Sequence, residues 1–91
     1  MFLHLGNDIS VRAKDIISIH DYEIFKSGEN NDVFKLMMSR ESVRNSKGLL
    51  ENAKSVVITN DFWYLSAISP VTLKRRAAAI FNCKGEDYGI R

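Results

Sequence analysis

The side chains of this 91-residue chain with the clearest chemical use are its 13 lysines and arginines. A cation that no carboxylate neutralises is available to a phosphate, and displacing the counterions around that phosphate drives binding. Arg40, Arg44 and Lys47 fall at i, i+4 and i+7, the spacing of one basic ridge if the segment is helical. Lys54 follows close behind, Lys74-Arg75-Arg76 form a contiguous triplet, and Lys14 stands in a short polar turn. The net charge of +2 is too small to imply an anionic partner, but its distribution is uneven. Residues 1–32 carry three bases against six acids, residues 33–60 five bases against two acids, and residues 62–85 four bases and no acid. An acidic start and a basic remainder describe a surface with one side turned toward anions. The bland reading of the ridge is a solvated helix end, where bases also suit the macrodipole. For the triplet the bland reading is an exposed solubilising face, and the functional one is a group that pairs with the acidic N-terminal half of a neighbouring subunit.

Catalytic chemistry has little to build on. His4 and His20 sit on strand-type segments, and two histidines without a third ligand at workable spacing do not make a metal site. The single cysteine, Cys83, excludes an internal disulfide and lies near a helix C-terminus, the wrong pole for a thiolate. Asp15 and Asp21 border strands, where acids serve as turn formers. With no glycine-rich phosphate loop and no nucleophile elbow, an enzyme is the class least favoured, and no cofactor or small-molecule substrate is implied.

The elements that must position these bases are organised around residues 55–70, SVVITNDFWYLSAISP. A β-branched run, the turn pair Asn60-Asp61 and an aromatic run predict a β-hairpin. Ser69 is placed to cap a helix whose first residue is Pro70, running to Asn82 with Val71, Ala77, Ala78, Ile80 and Phe81 for packing. The second strand is apolar on both faces, with Phe62, Tyr64 and Ile68 on one and Trp63, Leu65 and Ala67 on the other. Either the chain covers both faces itself, or Phe62, Trp63, Tyr64 and Leu65 form an interface with another subunit.

Upstream, Phe2–Leu5, Ile9–Arg12 and Ile16–His20 read as strands, with Ile17 and Ile19 toward the core. Their connections are too short for crossover helices, which predicts an antiparallel meander. A polar loop then leads to a helix capped by Asn31 or Asp32 and ending at Gly48, so that its second half presents the arginines. The fold class is α+β: a small antiparallel sheet of about five short strands with two helices, the second following the C-terminal hairpin. Residues 1–91 make one domain, with a core over 1–82 and a flexible tail over 83–91. There is no signal peptide and no apolar run of membrane-spanning length, so a cytoplasmic protein is expected.

Several stretches, in order, carry a resemblance over most of the chain: FLHLGNDISV at the start, KDIISIHD in the third strand, SVVIT and YLSAIS in the hairpin, and SPVTLKRRA in the last helix. In these the sequence resembles the bacterial Rem family of extracellular matrix regulators, RemA and RemB. Its start, MFLHLG, and its TLKRRA segment are nearer the RemB branch (the YaaB type). The resemblance implies a small α+β protein assembled into ring-shaped homo-oligomers. It also implies nucleoid-associated transcriptional control of biofilm-matrix genes, with DNA contacted through its backbone by many subunits. RemA-type sequences have an arginine before the Ile-Ile of the third strand, where this chain has Lys14-Asp15. They also have an arginine-rich loop before the hairpin, where this chain reads ENAK, with Lys54 the retained base. The residues expected at DNA are therefore Lys14, Arg40, Arg44, Lys47, Lys54, Lys74, Arg75 and Arg76. The alternative is a ring-forming scaffold that binds protein and no DNA.

Overall fold

The computed structural model describes residues 1–6, 9–44 and 52–83, the last three as backbone. Six strands and two helices follow in the order β1 (Phe2–Gly6), β2 (Ile9–Arg12), β3 (Ile16–Asp21), α1 (Gly28–Ser39), β4 (Val43–Arg44), β5 (Ser55–Thr59), β6 (Trp63–Ser66) and α2 (Pro70–Cys83). The hairpin forms where its sequence places it, with β5 antiparallel to β6 and Val57 opposite Tyr64. Thr59 clamps the turn: its Oγ1 accepts from the Asp61 and Phe62 amides at 3.3 and 3.1 Å and donates to the Phe62 carbonyl at 2.7 Å. At the other end the Ser69 hydroxyl accepts from the Thr72 amide at 3.2 Å, capping α2 with Pro70 at its first position.

The meander expected upstream does not form. β1 and β2 make a separate two-stranded sheet, and β3 joins β5 at the edge of a four-stranded sheet ordered β3-β5-β6-β4. Ala13–Asp15 is the reason: it coils as a 3-10 turn with Ala13 buried, and so redirects the chain instead of reversing it. The β3–β5 register also shifts between Ile16 and Ser18, which turns Ile17 outward, 63% exposed, while Ile19 stays in the core.

The first helix departs most from its expected bounds. It begins at Gly28, before the expected caps Asn31 and Asp32, and stops at Ser39. Glu41 then takes a left-handed conformation, φ 56°. The amide of Glu41 donates to the Met38 carbonyl and that of Ser42 to the Met37 carbonyl, both at 3.0 Å. This pair of reversed bonds is a Schellman stop, usually signalled by glycine and here made by glutamate. Val43 and Arg44 continue as β4, parallel to β6. The expected helical ridge of Arg40, Arg44 and Lys47 is thus broken: Arg40 caps the helix, Arg44 lies on a strand, and Lys47 and Gly48 lie outside the described residues. The tail beyond Cys83 and the Asn7-Asp8 turn also lie outside them.

Both faces of the four-stranded sheet are covered from within the chain. Val57, Ile19 and Tyr64 face the β1–β2 hairpin and α2, meeting Leu3, Leu5, Val11 and Leu73. Val56, Leu65 and Trp63 face the other way, onto Phe25 and Phe34 of α1 and the turn before it. The β1–β2 layer is tied to the sheet by a polar bond as well: the buried Ser66 hydroxyl donates to the Leu5 carbonyl at 2.7 Å. Among the described residues no helix is long and apolar enough to cross a membrane.

Candidate functional site

The hairpin turn gathers bases that the sequence scatters. The Asn60 amide donates to the Asp15 carbonyl at 3.1 Å, which fixes the Ala13–Asp15 turn, and hence Lys14, beside residues 60–62. From the other side, the parallel pairing of β4 with β6 sets Arg44 opposite Tyr64. The Arg44 guanidinium lies over the Phe62 ring, 4.0 Å from its centroid, and Phe62 meets Tyr64 edge to face at 6.5 Å. Stacking on an aromatic face orients the flat guanidinium and leaves its N–H edge open to a planar anion such as phosphate. Trp63 donates its amide to the Ser42 carbonyl at 2.9 Å, which pins the segment between Arg40 and Arg44 to the same end of the sheet.

Acids share this end. Asp15 holds Arg12 through Nε at 2.9 Å, so that Arg12 is spoken for, and Asp61 lies in the turn itself. Both acids line a recess of about 330 Å³ together with Phe2, Arg12, Thr59 and Tyr64. Among the described residues, Lys14, Arg40, Arg44, Lys54, Lys74, Arg75 and Arg76 are exposed and make no ion pair.

The remaining expected bases lie elsewhere. Lys54 sits at the opposite end of the sheet, where its carbonyl accepts from the Tyr22 amide at 3.0 Å. Lys74, Arg75 and Arg76 ride on α2, whose inward residues are Leu73, Ala77 and Ile80; Val71 and Ala78, expected to pack, are exposed. The eight expected residues therefore divide into a turn-end group (Lys14, Arg40, Arg44), a lone Lys54 and the α2 triplet, with Lys47 outside the described residues.

Of the four hairpin residues expected at an interface, Leu65 is fully buried inside the chain, in the cluster with Phe25, Phe34 and Val56. Its place is core, because α1 covers that face of the sheet. Trp63 packs on Phe25 with ring centroids 5.5 Å apart; Phe62, Trp63 and Tyr64 each stay half-buried. The residue that sequence reasoning missed at the turn end is Phe62 in its role as platform for Arg44. Only the parallel β4–β6 pairing reveals that role, and a two-residue strand leaves no periodic trace.

The other candidate groups are structural. His20 shares a 2.9 Å hydrogen bond with the Ser18 hydroxyl and packs edge-on against Phe25. The Asp21 carboxylate accepts from the Glu23 amide at 2.9 Å as the cap of a 3-10 turn. Among the described residues no cluster of three or more His, Cys, Asp or Glu could hold a metal ion.

Two comparisons with known proteins bear on this geometry. The sequence profile of the RemA-like family, described as extracellular matrix regulatory protein A-like, matches residues 2–77. The chain is also 30% identical over 82 residues to extracellular matrix regulatory protein B of Bacillus subtilis (strain 168), covering 90% of this chain and 96% of that protein.

Proposed function

The chain belongs to the RemA-like family of extracellular matrix regulatory proteins, and from that premise we propose that it is a DNA-binding transcriptional regulator of biofilm-matrix genes. It acts in the cytoplasm, on the nucleoid, as a ring-forming homo-oligomer whose subunits each supply a few contacts to the DNA backbone. The observation that carries the reading is Arg44: an exposed guanidinium oriented over Phe62 at 4.0 Å, with no acid partner among the described residues. Arg40 precedes the same strand, and Lys14 precedes β3 at the opposite edge of the sheet, both at the end where the hairpin turns. Contacts of this kind position a duplex without reading its bases. One subunit offers too few of them for firm binding, and copies aligned around an assembly multiply a weak contact into a strong one.

A gel-shift titration of duplex DNA at low and moderate salt tests this, with the mass of the native particle measured first. The expected result is an oligomer whose shift falls steeply with salt and weakens further in an Arg40→Ala/Arg44→Ala variant. An oligomer that gives no shift even at low salt identifies a protein-binding scaffold instead.

A further inference from the structure

The two helices carry matching stripes of opposite charge on their outer faces. On α1, Glu29, Asp32, Val33 and Leu36 stand at i, i+3, i+4 and i+7, which is one face of a helix, and all four are exposed. On α2, Val71, Lys74, Arg75 and Ala78 repeat the same spacing and are exposed too. Each stripe joins apolar surface to two charges of one sign: Val33 and Leu36, 45% and 48% exposed, sit beside carboxylates, and Val71, 65% exposed, sits beside a lysine and an arginine. None of these four charges has an ion-pair partner among the described residues.

One chain cannot bring the stripes together. α1 covers the sheet face that carries Val56 and Leu65, and α2 covers the face that carries Val57. The stripes therefore point away from opposite sides of the molecule. We propose that the α1 stripe of one copy docks on the α2 stripe of the next. With the two helices antiparallel, Leu36 then lies against Val71, Val33 and Asp32 against Lys74 and Arg75, and Glu29 one turn beyond, beside Ala78 and on the Arg75 side. The contact is heterologous, head to tail, so it propagates from subunit to subunit and closes into a ring if the rotation per step allows. It rests on the reading of the protein as a homo-oligomer and names the surfaces that build it. It also removes Lys74 and Arg75 from the DNA-facing set and leaves that task to the turn-end bases.

Charge exchange tests it. Four proteins are compared by native mass and by light scattering over a concentration series: the wild type, Glu29→Lys/Asp32→Lys, Lys74→Glu/Arg75→Glu, and the variant with all four changes. Circular dichroism of the same samples reads the fold. Either double variant sets like charges against each other, and its assembly midpoint rises by about a hundredfold or more. The fourfold variant restores opposite charges and assembles again, as does an equimolar mixture of the two double variants. If the wild type assembles and the double variants assemble equally well, the proposed contact is wrong while the oligomeric reading stands. The contact is also wrong if folded double variants dissociate and neither the fourfold variant nor the mixture recovers. A wild type that stays monomeric at every concentration overturns the oligomeric reading and the contact with it.

Discussion

Arg44 and Phe62 can be separated by a pair of substitutions that act on different terms of the same contact. Arg44→Ala deletes a charge, whereas Phe62→Leu keeps the charge and most of the apolar bulk but removes the ring on which the guanidinium rests, 4.0 Å away. Each phosphate neutralised contributes about 0.9 to the slope of log affinity against log salt, so one contact weakens about 3.5-fold for a fourfold rise in salt. Contacts from several subunits on one duplex would multiply, each further subunit engaged adding about another 3.5-fold. Arg44→Ala is expected to flatten the slope by about 0.9 for every subunit engaged. Phe62→Leu is expected to leave the slope alone and lower affinity at all salts. An exposed cation–π contact is worth about 0.5–1 kcal/mol, hence about two- to fivefold per subunit engaged. Fluorescence anisotropy with a labelled duplex across a salt series reads both quantities. A slope unchanged by Arg44→Ala refutes a role for this arginine at phosphate. A slope flattened by Phe62→Leu refutes the assignment of the ring as a mere platform.

Three further outcomes follow from contacts already described. Asp15→Asn releases Arg12 from its 2.9 Å ion pair and adds one net positive charge per subunit. Stability moves by no more than about 1 kcal/mol because the pair is partly exposed, while DNA affinity rises and its salt slope steepens in the anisotropy titration. Leu65→Ala opens a cavity in the cluster with Phe25 and Phe34 and costs about 2–5 kcal/mol in denaturant unfolding. That loss is the same at every protein concentration if Leu65 is core, and shrinks on dilution if it is interface. Glu41→Gly relieves the left-handed strain at the end of α1. It raises the thermal midpoint by a few degrees, since the strain of about 1–2 kcal/mol exceeds the entropy that glycine adds to the unfolded chain.

The sequence is most legible where local chemistry decides the structure. The Thr59–Phe62 turn and the Ser69-Pro70 cap each satisfy their own backbone groups within a few residues, and both form as their residues predict. It is least legible where a residue of the wrong type does a familiar job. Nothing about glutamate at position 41 announces a helix stop, so the pattern of α1 reads on toward Gly48 and creates a basic ridge that does not exist. Partner choice between strands is equally hidden. Ile16–Asp21 is plainly a strand, but its alternation says which face is apolar and not whether β2 or β5 lies alongside. The 3-10 turn that decides the matter spans three residues.

Those two hidden features are also the ones that assemble the candidate site. Because α1 stops early, Arg44 leaves the helix and joins an edge strand, where it meets a ring 18 positions further along the sequence. Because β3 pairs with β5, the turn that carries Lys14 is drawn against the hairpin loop. Had α1 run on to Gly48, Arg40, Arg44 and Lys47 would have shared a helix face with no aromatic platform. A Schellman stop made by glutamate is thus a local strain with a distant consequence: it converts a row of solvated helix cations into one oriented guanidinium. Glu41→Gly preserves the stop and should preserve that orientation. A substitution that extended the helix through Ser42 would lose the Arg44–Phe62 contact even though no residue of the contact had changed.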